Sequence, residues 1–194
     1  MKKIEVDKRA KGLIFDMDGT IADSMPVHLL AWKLTAKEHG FEYTEELFYE
    51  LAGMPTFKIV SVVNEKLGLS LNPGTFSKRK EELFLENLKE VKAIEPVADI
   101  VRRYHGKLPM SIGTGGKKYI AELTLKMIGF DRIFDTIVSA DDVVNHKPFP
   151  DTFLKCAEIM KVEPQFCQVF EDGEMGLLAA KRAGMIATDI RPYL

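Results

Sequence analysis

Asp16 and Asp18 flank Met17 at the end of the apolar run 12–15, and Gly19 follows them. Two carboxylates so spaced can do acid–base or metal chemistry when a tight turn presents both to one ligand, and a glycine beside them supplies that turn. The same shape recurs downstream. Thr114 and Gly115 follow the run 109–113, Asp141 and Asp142 follow 136–138, Glu171 and Asp172 follow 168–170, and Asp189 follows 185–188. Lys147 stands in the loop HKPFPD. Carboxylates gathered at one place repel each other, and a hard divalent cation with oxygen ligands relieves that repulsion. Mg²⁺ with a phosphate substrate is the usual occupant of an open carboxylate site. Any one of these residues reads equally well as a helix cap or turn former. Asp16, Asp18, Thr114, Lys147, Glu171 and Asp172 together, at successive run ends, point to a ligand site.

Such ends need elements behind them. Each short apolar run reads as a buried strand, and helical patterns lie between them. One covers 117–128 and ends at Gly129, one covers 151–160 after Pro150, and one covers 175–183 and ends at Gly184. Proline early in a helix and glycine just past its end fit those boundaries. Strand–helix alternation with continuously apolar strands predicts an α/β fold, a Rossmann-like and mostly parallel sheet covered by helices. Ligands of such a sheet bind beyond the carboxyl ends of its strands, where the acids collect.

The stretch from Thr20 to Met110 breaks the alternation. It far exceeds the ~30 residues of a βαβ unit, and it reads as amphipathic helices. The first starts at Ser24 and Pro26, carries Val27, Leu30, Ala31 and Leu34, and closes at Gly40. A short one follows Thr44, one covers 56–67 up to Gly68, and one covers 75–88. A further helix near 97–104 leads back to the sheet. Residues 1–22 and 93–194 are therefore expected to form the core, and 23–92 an inserted small four-helix cap domain.

Composition narrows the class. The chain has 194 residues, 27 Lys+Arg against 29 Asp+Glu and a formal net charge of −2, which argues against a general nucleic-acid binder. A hydrophobic share of 46% is the globular norm. No apolar run approaches the ~18 residues of a membrane span, and the basic N-terminus lacks the apolar stretch of a secretion signal. Cys156 and Cys167 make neither a disulfide framework nor a zinc site and read as buried thiols in a reducing cytoplasm. No long exposed apolar stripe demands a partner, so a monomer is expected.

Neither DMDG nor GTGGKK fits the better-known ion or phosphate loops. The first has its glycine too early for an EF-hand, and the second has Ser111 and Lys118 at two required positions of a P-loop. LIFDMDGT, SIGTGG, NHKPFPDTF and VFEDGEMGLLAAKRAGM, in that order, instead resemble the four motifs of the haloacid dehalogenase superfamily. The resemblance covers nearly the whole chain, and the insert is similar to the small cap of the β-phosphoglucomutase-like branch. It implies that Asp16 is a nucleophile giving an aspartyl-phosphate, and that Asp18 is general acid and then general base, with its carbonyl on the metal. It implies that Thr114 and Gly115 meet the phosphoryl group, that Lys147 neutralises charge, and that Glu171 and Asp172 complete a Mg²⁺ site. The second aspartate favours phosphate chemistry over carbon–halogen chemistry.

The expected function is Mg²⁺-dependent hydrolysis of small sugar monophosphates, with a small phosphorylated sugar as partner. An isomerase that moves phosphate within a hexose is the alternative, and a non-catalytic metal-binding module a third. The isomerase holds a second phosphate with a cap arginine, where this chain has Thr56 with Lys58 nearby, and Arg and Lys are not equivalent at such a site. His28 matches a family histidine near the hinge and is a candidate either to contact substrate or to tune Asp18. Lys78, from the run Lys78-Arg79-Lys80, is another. Trp32, Phe57 and Phe76 fall on helical apolar stripes and are expected in the cap core.

Overall fold

The computed structural model describes residues 3–134 and 136–194. In chain order, β1 (Gly12–Phe15) and β2 (Ala22–Asp23) precede α1 (Met25–Glu38), α2 (Glu45–Glu50), α3 (Thr56–Leu67) and α4 (Pro73–Glu86). Then come β3 (Lys92–Ala93), α5 (Glu95–Tyr104), β4 (Met110–Gly113), α6 (Lys118–Met127) and β5 (Thr136–Val138). The chain ends with α7 (Asp151–Met160), β6 (Cys167–Glu171), α8 (Glu174–Arg182) and β7 (Ile186–Asp189), apart from short 3₁₀ turns.

Five strands form one parallel sheet in the order β5-β4-β1-β6-β7. The inner strands are buried throughout because both of their faces are covered, and they are apolar but for Ser111, Gln168 and Glu171. Leu13, Phe15, Ile112 and Phe170 meet Val97, Ile100 and Val101 of α5 and Ile120 and Leu125 of α6. Ile14, Val138 and Val169 turn the other way, against Phe153 and Cys156 of α7 and Ala179 and Ala180 of α8. Successive strand residues thus serve opposite faces, as the pleat requires. Phe15 stacks on Phe170 with centroids 4.9 Å apart, which ties β1 to β6 directly beneath the acidic residues.

The four helices expected between the first strand and the rest are present. Their segment leaves and rejoins the sheet-bearing part through a two-residue antiparallel ribbon, Ala22 opposite Ala93 and Asp23 opposite Lys92. Residues this few carry no readable alternation, so the ribbon was not expected. The far end of the segment has its own core of Trp32, Tyr43, Phe48, Val60 and Phe76, with Trp32 stacked on Tyr43 at 4.7 Å. The near ends of α1 and α4 give Val27, Ala31, Leu83 and Phe84 to the sheet's core instead.

Local chemistry sets most helix ends. Thr44 caps α2 by accepting from Leu47 N at 3.2 Å, and Gly68 ends α3 at φ +64. The last of the four begins before the expected Thr75, because the Asn72 side chain accepts from Gly74 N at 2.9 Å and Thr75 N at 3.1 Å. Phe57 is 46% exposed and outside the cap core, contrary to expectation, whereas Trp32 and Phe76 are buried. Among the described residues, no helix is long and apolar enough to cross a membrane.

Gly113 ends β4 where a Cβ would lie 2.9 Å from the Phe153 ring and 3.2 Å from Cys156 Sγ. Overpacking of this kind costs about 1–3 kcal/mol. Gly113→Ala is expected to lower the urea midpoint accordingly without changing the slope, and an unchanged midpoint would show that α7 yields freely.

Candidate active site

Strand order reverses at β1: β4 and β5 lie on one side of it, β6 and β7 on the other. That is the topological switch point, where open parallel sheets leave a crevice beyond their carboxyl ends. Asp16 follows β1, and Glu171 closes β6 beside it.

The chain between Asp16 and Thr20 is drawn tightly against the Asp172 loop. Gly19 has φ +85, and a Cβ there would run into the Asp172 carboxylate. Thr20 Oγ1 donates to Asp172 Oδ1 at 2.7 Å. Lys147 Nζ donates to Asp16 Oδ1 at 2.5 Å and to Glu171 Oε2 at 2.7 Å, and it lies 4.7 Å over the Phe153 ring. Glu171 Oε1 accepts from Gly173 N at 2.9 Å. Gly176 leaves room for that carboxylate, which any Cβ there would overlap. Thr114 Oγ1 accepts from Gly116 N at 3.0 Å, which leaves the hydroxyl proton to give to a ligand.

Asp16, Glu171 and Asp172 bring ligand atoms within 4.8 Å of one another. Burial raises the Asp16 carboxyl well above the usual range, the Glu171 charge adds to this, and Lys147 opposes it. Burial and Glu171 push Asp172 up to about 6 against the Thr20 hydrogen bond. Burial alone would lower Lys147, but Asp16 and Glu171 raise it above the ordinary lysine value. Two buried carboxylates and a half-buried third, facing one ammonium, have excess negative charge, and a hard cation suits that donor set.

The Asp18 side chain turns away from this trio. Its Oδ1 accepts from Ser24 Oγ at 2.6 Å and lies 2.9 Å from His28 Nε2. His28 Nδ1 is 2.7 Å from Lys80 Nζ. An ammonium only donates, so Nδ1 accepts and Nε2–H is the nitrogen that donates to Asp18. Burial and Lys80 both lower the His28 pKa, outweighing Asp18, which keeps the ring in that neutral form. Burial raises Asp18, but His28 and Ser24 outweigh it and hold the carboxyl at about 2. The His28 ring also lies flat on Phe84, with centroids 4.0 Å apart.

These groups floor a cleft of about 110 Å³ roofed by Met25, Trp32, Phe48, Met54 and Ile59. Asp16, Asp18, His28, Thr56, Thr114, Gly115, Lys147, Glu171 and Asp172, all expected from sequence, line it. Lys78 does not: it is exposed, and the lysine of that run which enters the cleft is Lys80. Helical spacing held the signal, since Lys80 lies four residues after Phe76 and four before Phe84, on the apolar face. Ser24 and Thr20 were also missed, because their partners are set by the turn rather than by a local pattern. Asp141 and Asp142 serve turns as expected, accepting from Lys118 N and from Ser139.

A family profile described as haloacid dehalogenase-like hydrolase matches residues 13–189. The chain is 42% identical over 184 residues to fructose-1-phosphate phosphatase YqaB of Escherichia coli (strain K12), covering 95% of this chain and 98% of that one. It is 31% identical over 179 residues to a phosphorylated carbohydrates phosphatase of Thermotoga maritima, covering 90% and 82%. A solved β-phosphoglucomutase from Clostridium difficile superposes with a TM-score of 0.81 at 24% identity, over 93% of this chain and 84% of that one, which shows a shared fold.

Burial lowers Lys80 to about 8, against the pull of Asp18 and Glu81. Its ammonium therefore costs stability on the order of 3 kcal/mol below that pH. Because the folded pKa lies under the unfolded one, the penalty fades as pH rises from about 8 toward the ordinary lysine value. Lys80→Met is expected to raise the melting temperature by a few degrees at pH 7 and by less at pH 10. A lower melting temperature at pH 7 would contradict this account.

Proposed function

The chain belongs to the haloacid dehalogenase-like hydrolases, and from that premise we propose that it hydrolyses small sugar monophosphates at the Asp16 site with Mg²⁺ as cofactor. The observation that carries this reading is the division of labour between two aspartates two positions apart. Asp16 faces Lys147 and the acidic trio, whereas Asp18 is held by His28 and Ser24. This division supports reading Asp16 as the nucleophile and Asp18 as the acid–base group. The names of the phosphatases of Escherichia coli and Thermotoga maritima support the substrate class.

In this reading Asp16 attacks phosphorus in line, and the bond to the ester oxygen breaks. The leaving sugar oxygen takes a proton from Asp18. That proton arrives with the incoming phosphate or from solvent, since the phosphate's negative charge raises the affinity of Asp18 for it. Water then attacks the aspartyl-phosphate, gives its proton to Asp18, and releases phosphate while restoring Asp16. Thr114 donates its hydroxyl proton to a phosphoryl oxygen, and Lys147 offsets charge on the transferring group. Asp16 and Asp172 would hold Mg²⁺ with help from Glu171 and the Asp18 carbonyl. The excess carboxylate charge and the raised proton affinity of Asp16 and Asp172 fit a resident cation. When bound, such an ion supplies charge neutralisation and orientation of the phosphoryl group.

Residues 23–92 act as a cap over the cleft and exclude water. Among the described cleft-lining residues of that segment, Lys80 is the cation, and it is committed to His28. A second phosphate would find no spare counter-charge there, which favours hydrolysis over an isomerase that holds two phosphates. We take the enzyme to be a cytoplasmic monomer, its two buried thiols reduced.

Asp16→Asn is expected to reduce phosphate release from a sugar-phosphate panel to background while the circular dichroism spectrum is kept. Retained turnover, free of contaminating wild type, would exclude the covalent route. Mg²⁺ at 100 times its dissociation constant should add about 2.7 kcal/mol, roughly 5–10 °C for a chain of this length. A thermal melt with Mg²⁺ and then with chelator reads this, and Asp172→Asn should abolish most of the difference. Identical melts would remove the resident cation from the scheme.

A further inference from the structure

Glu81 is a buried carboxylate that acts on Lys80 as a charge but lies outside the residues lining the cleft, and its hydrogen-bond partners are remote in the chain. It sits on α4 with its side chain 8% exposed. It accepts from Lys117 Nζ at 3.0 Å and from Tyr119 Oη at 2.8 Å. Both donors stand at the start of α6, directly after the loop that carries Thr114, Gly115 and Gly116. A carboxylate of the inserted segment is thus clasped by two donors of the sheet-bearing part. The phenol keeps its proton to give, because burial and the hydrogen bond to Glu81 raise its pKa.

Two more contacts join the same parts around the cleft. His28 meets Asp18 at 2.9 Å next to the ribbon. At another point the Gly53 carbonyl lies so near Gly115 that a Cβ there would be 2.6 Å from it. The first belongs to the acid–base machinery, and the second is steric contact between backbones. Among the described residues, Glu81 alone joins the two parts by a charged pair outside the acid–base groups.

We propose that Glu81 is a positioning residue that, with Lys117 and Tyr119, latches the cap against the core in its closed position. The proposal rests on the reading of residues 23–92 as a cap that opens and closes. Opening breaks both bonds and exposes the carboxylate, and water then replaces the lost donors. The latch therefore sets the fraction of molecules already closed before substrate arrives. Apparent affinity scales with that fraction, whereas saturating substrate drives closure regardless. The latch acts on KM and leaves kcat in place, a split that a loss of general stability does not produce.

The test compares wild type, Glu81→Gln, Tyr119→Phe and the double variant in steady-state kinetics on the best sugar phosphate of the panel. Hydrogen exchange of the amides around Gly53 and Gly115 is measured in parallel. Glu81→Gln is expected to raise KM about 5- to 10-fold with kcat within about twofold. Tyr119→Phe should raise KM less, and the double variant no further than Glu81→Gln, since both remove the same contact. Exchange at the seam should quicken in each. Unchanged KM, a fall in kcat at constant KM, or multiplying effects in the double variant would overturn the latch. If Glu81→Gln fails to fold, Tyr119→Phe decides alone, since Tyr119 is 43% exposed. If wild type hydrolyses no sugar phosphate, the catalytic reading fails separately. Seam exchange then decides, with quicker exchange in the variants supporting the latch and unchanged exchange rejecting it.

Discussion

Asp16, Glu171 and Asp172 crowd three carboxylates to within 4.8 Å in a place that water barely reaches, and Lys147 answers with one positive charge. Left to itself such a group would protonate or fly apart. Its surroundings raise the proton affinity of Asp16 and Asp172 and hold the three side by side. Adjacent parallel strands fix Asp16 and Glu171 side by side, and the stacked Phe15 and Phe170 lock those strands together. Thr20, Gly173 and Gly176 supply two donors and the room for a carboxylate. The fold spends its best-packed strands on holding together charges that repel.

Asp18 shows the converse. It is two positions from Asp16 but less enclosed, its side chain 27% exposed against 9%, and its own donors keep it ionised near neutral pH. The difference comes from the helical segment, which brings Ser24, His28 and, through His28, Lys80. One wall of the crevice thus tunes a group that the sheet positions. The cleft roof is apolar apart from Thr56, His28 and Lys80, so selectivity among substrates rests on few polar groups.

The strand ends were readable because each is a local pattern, an apolar run stopped by acids or by Thr-Gly-Gly. The helix 151–160 and the short strand 136–138 were readable to the residue, bounded by Pro150 and by the turn at Ser139. What escaped depends on partners far along the chain. Ser24 looks like a helix cap, but its hydroxyl serves Asp18 instead. Phe57 has helical spacing and still faces solvent. Lys80 was passed over for Lys78 because a basic run reads as solvated, although the helical phase singles out the buried member. The approach of Gly53 to Gly115 joins two loops with no pattern in common, and no residue type announces it.

The sharing of α1 and α4 between two apolar clusters bears on how the molecule unfolds. Val27, Ala31, Leu83 and Phe84 fill the sheet's core although they belong to the inserted helices. Cutting out those helices would leave that core open on one side. Conversely, the helices without the sheet would carry an uncovered stripe at their base. Neither part has a complete interior of its own, so melting of one removes packing from the other. The insert stays within one cooperative unit, because the helices that carry the cleft roof also close the core beneath it.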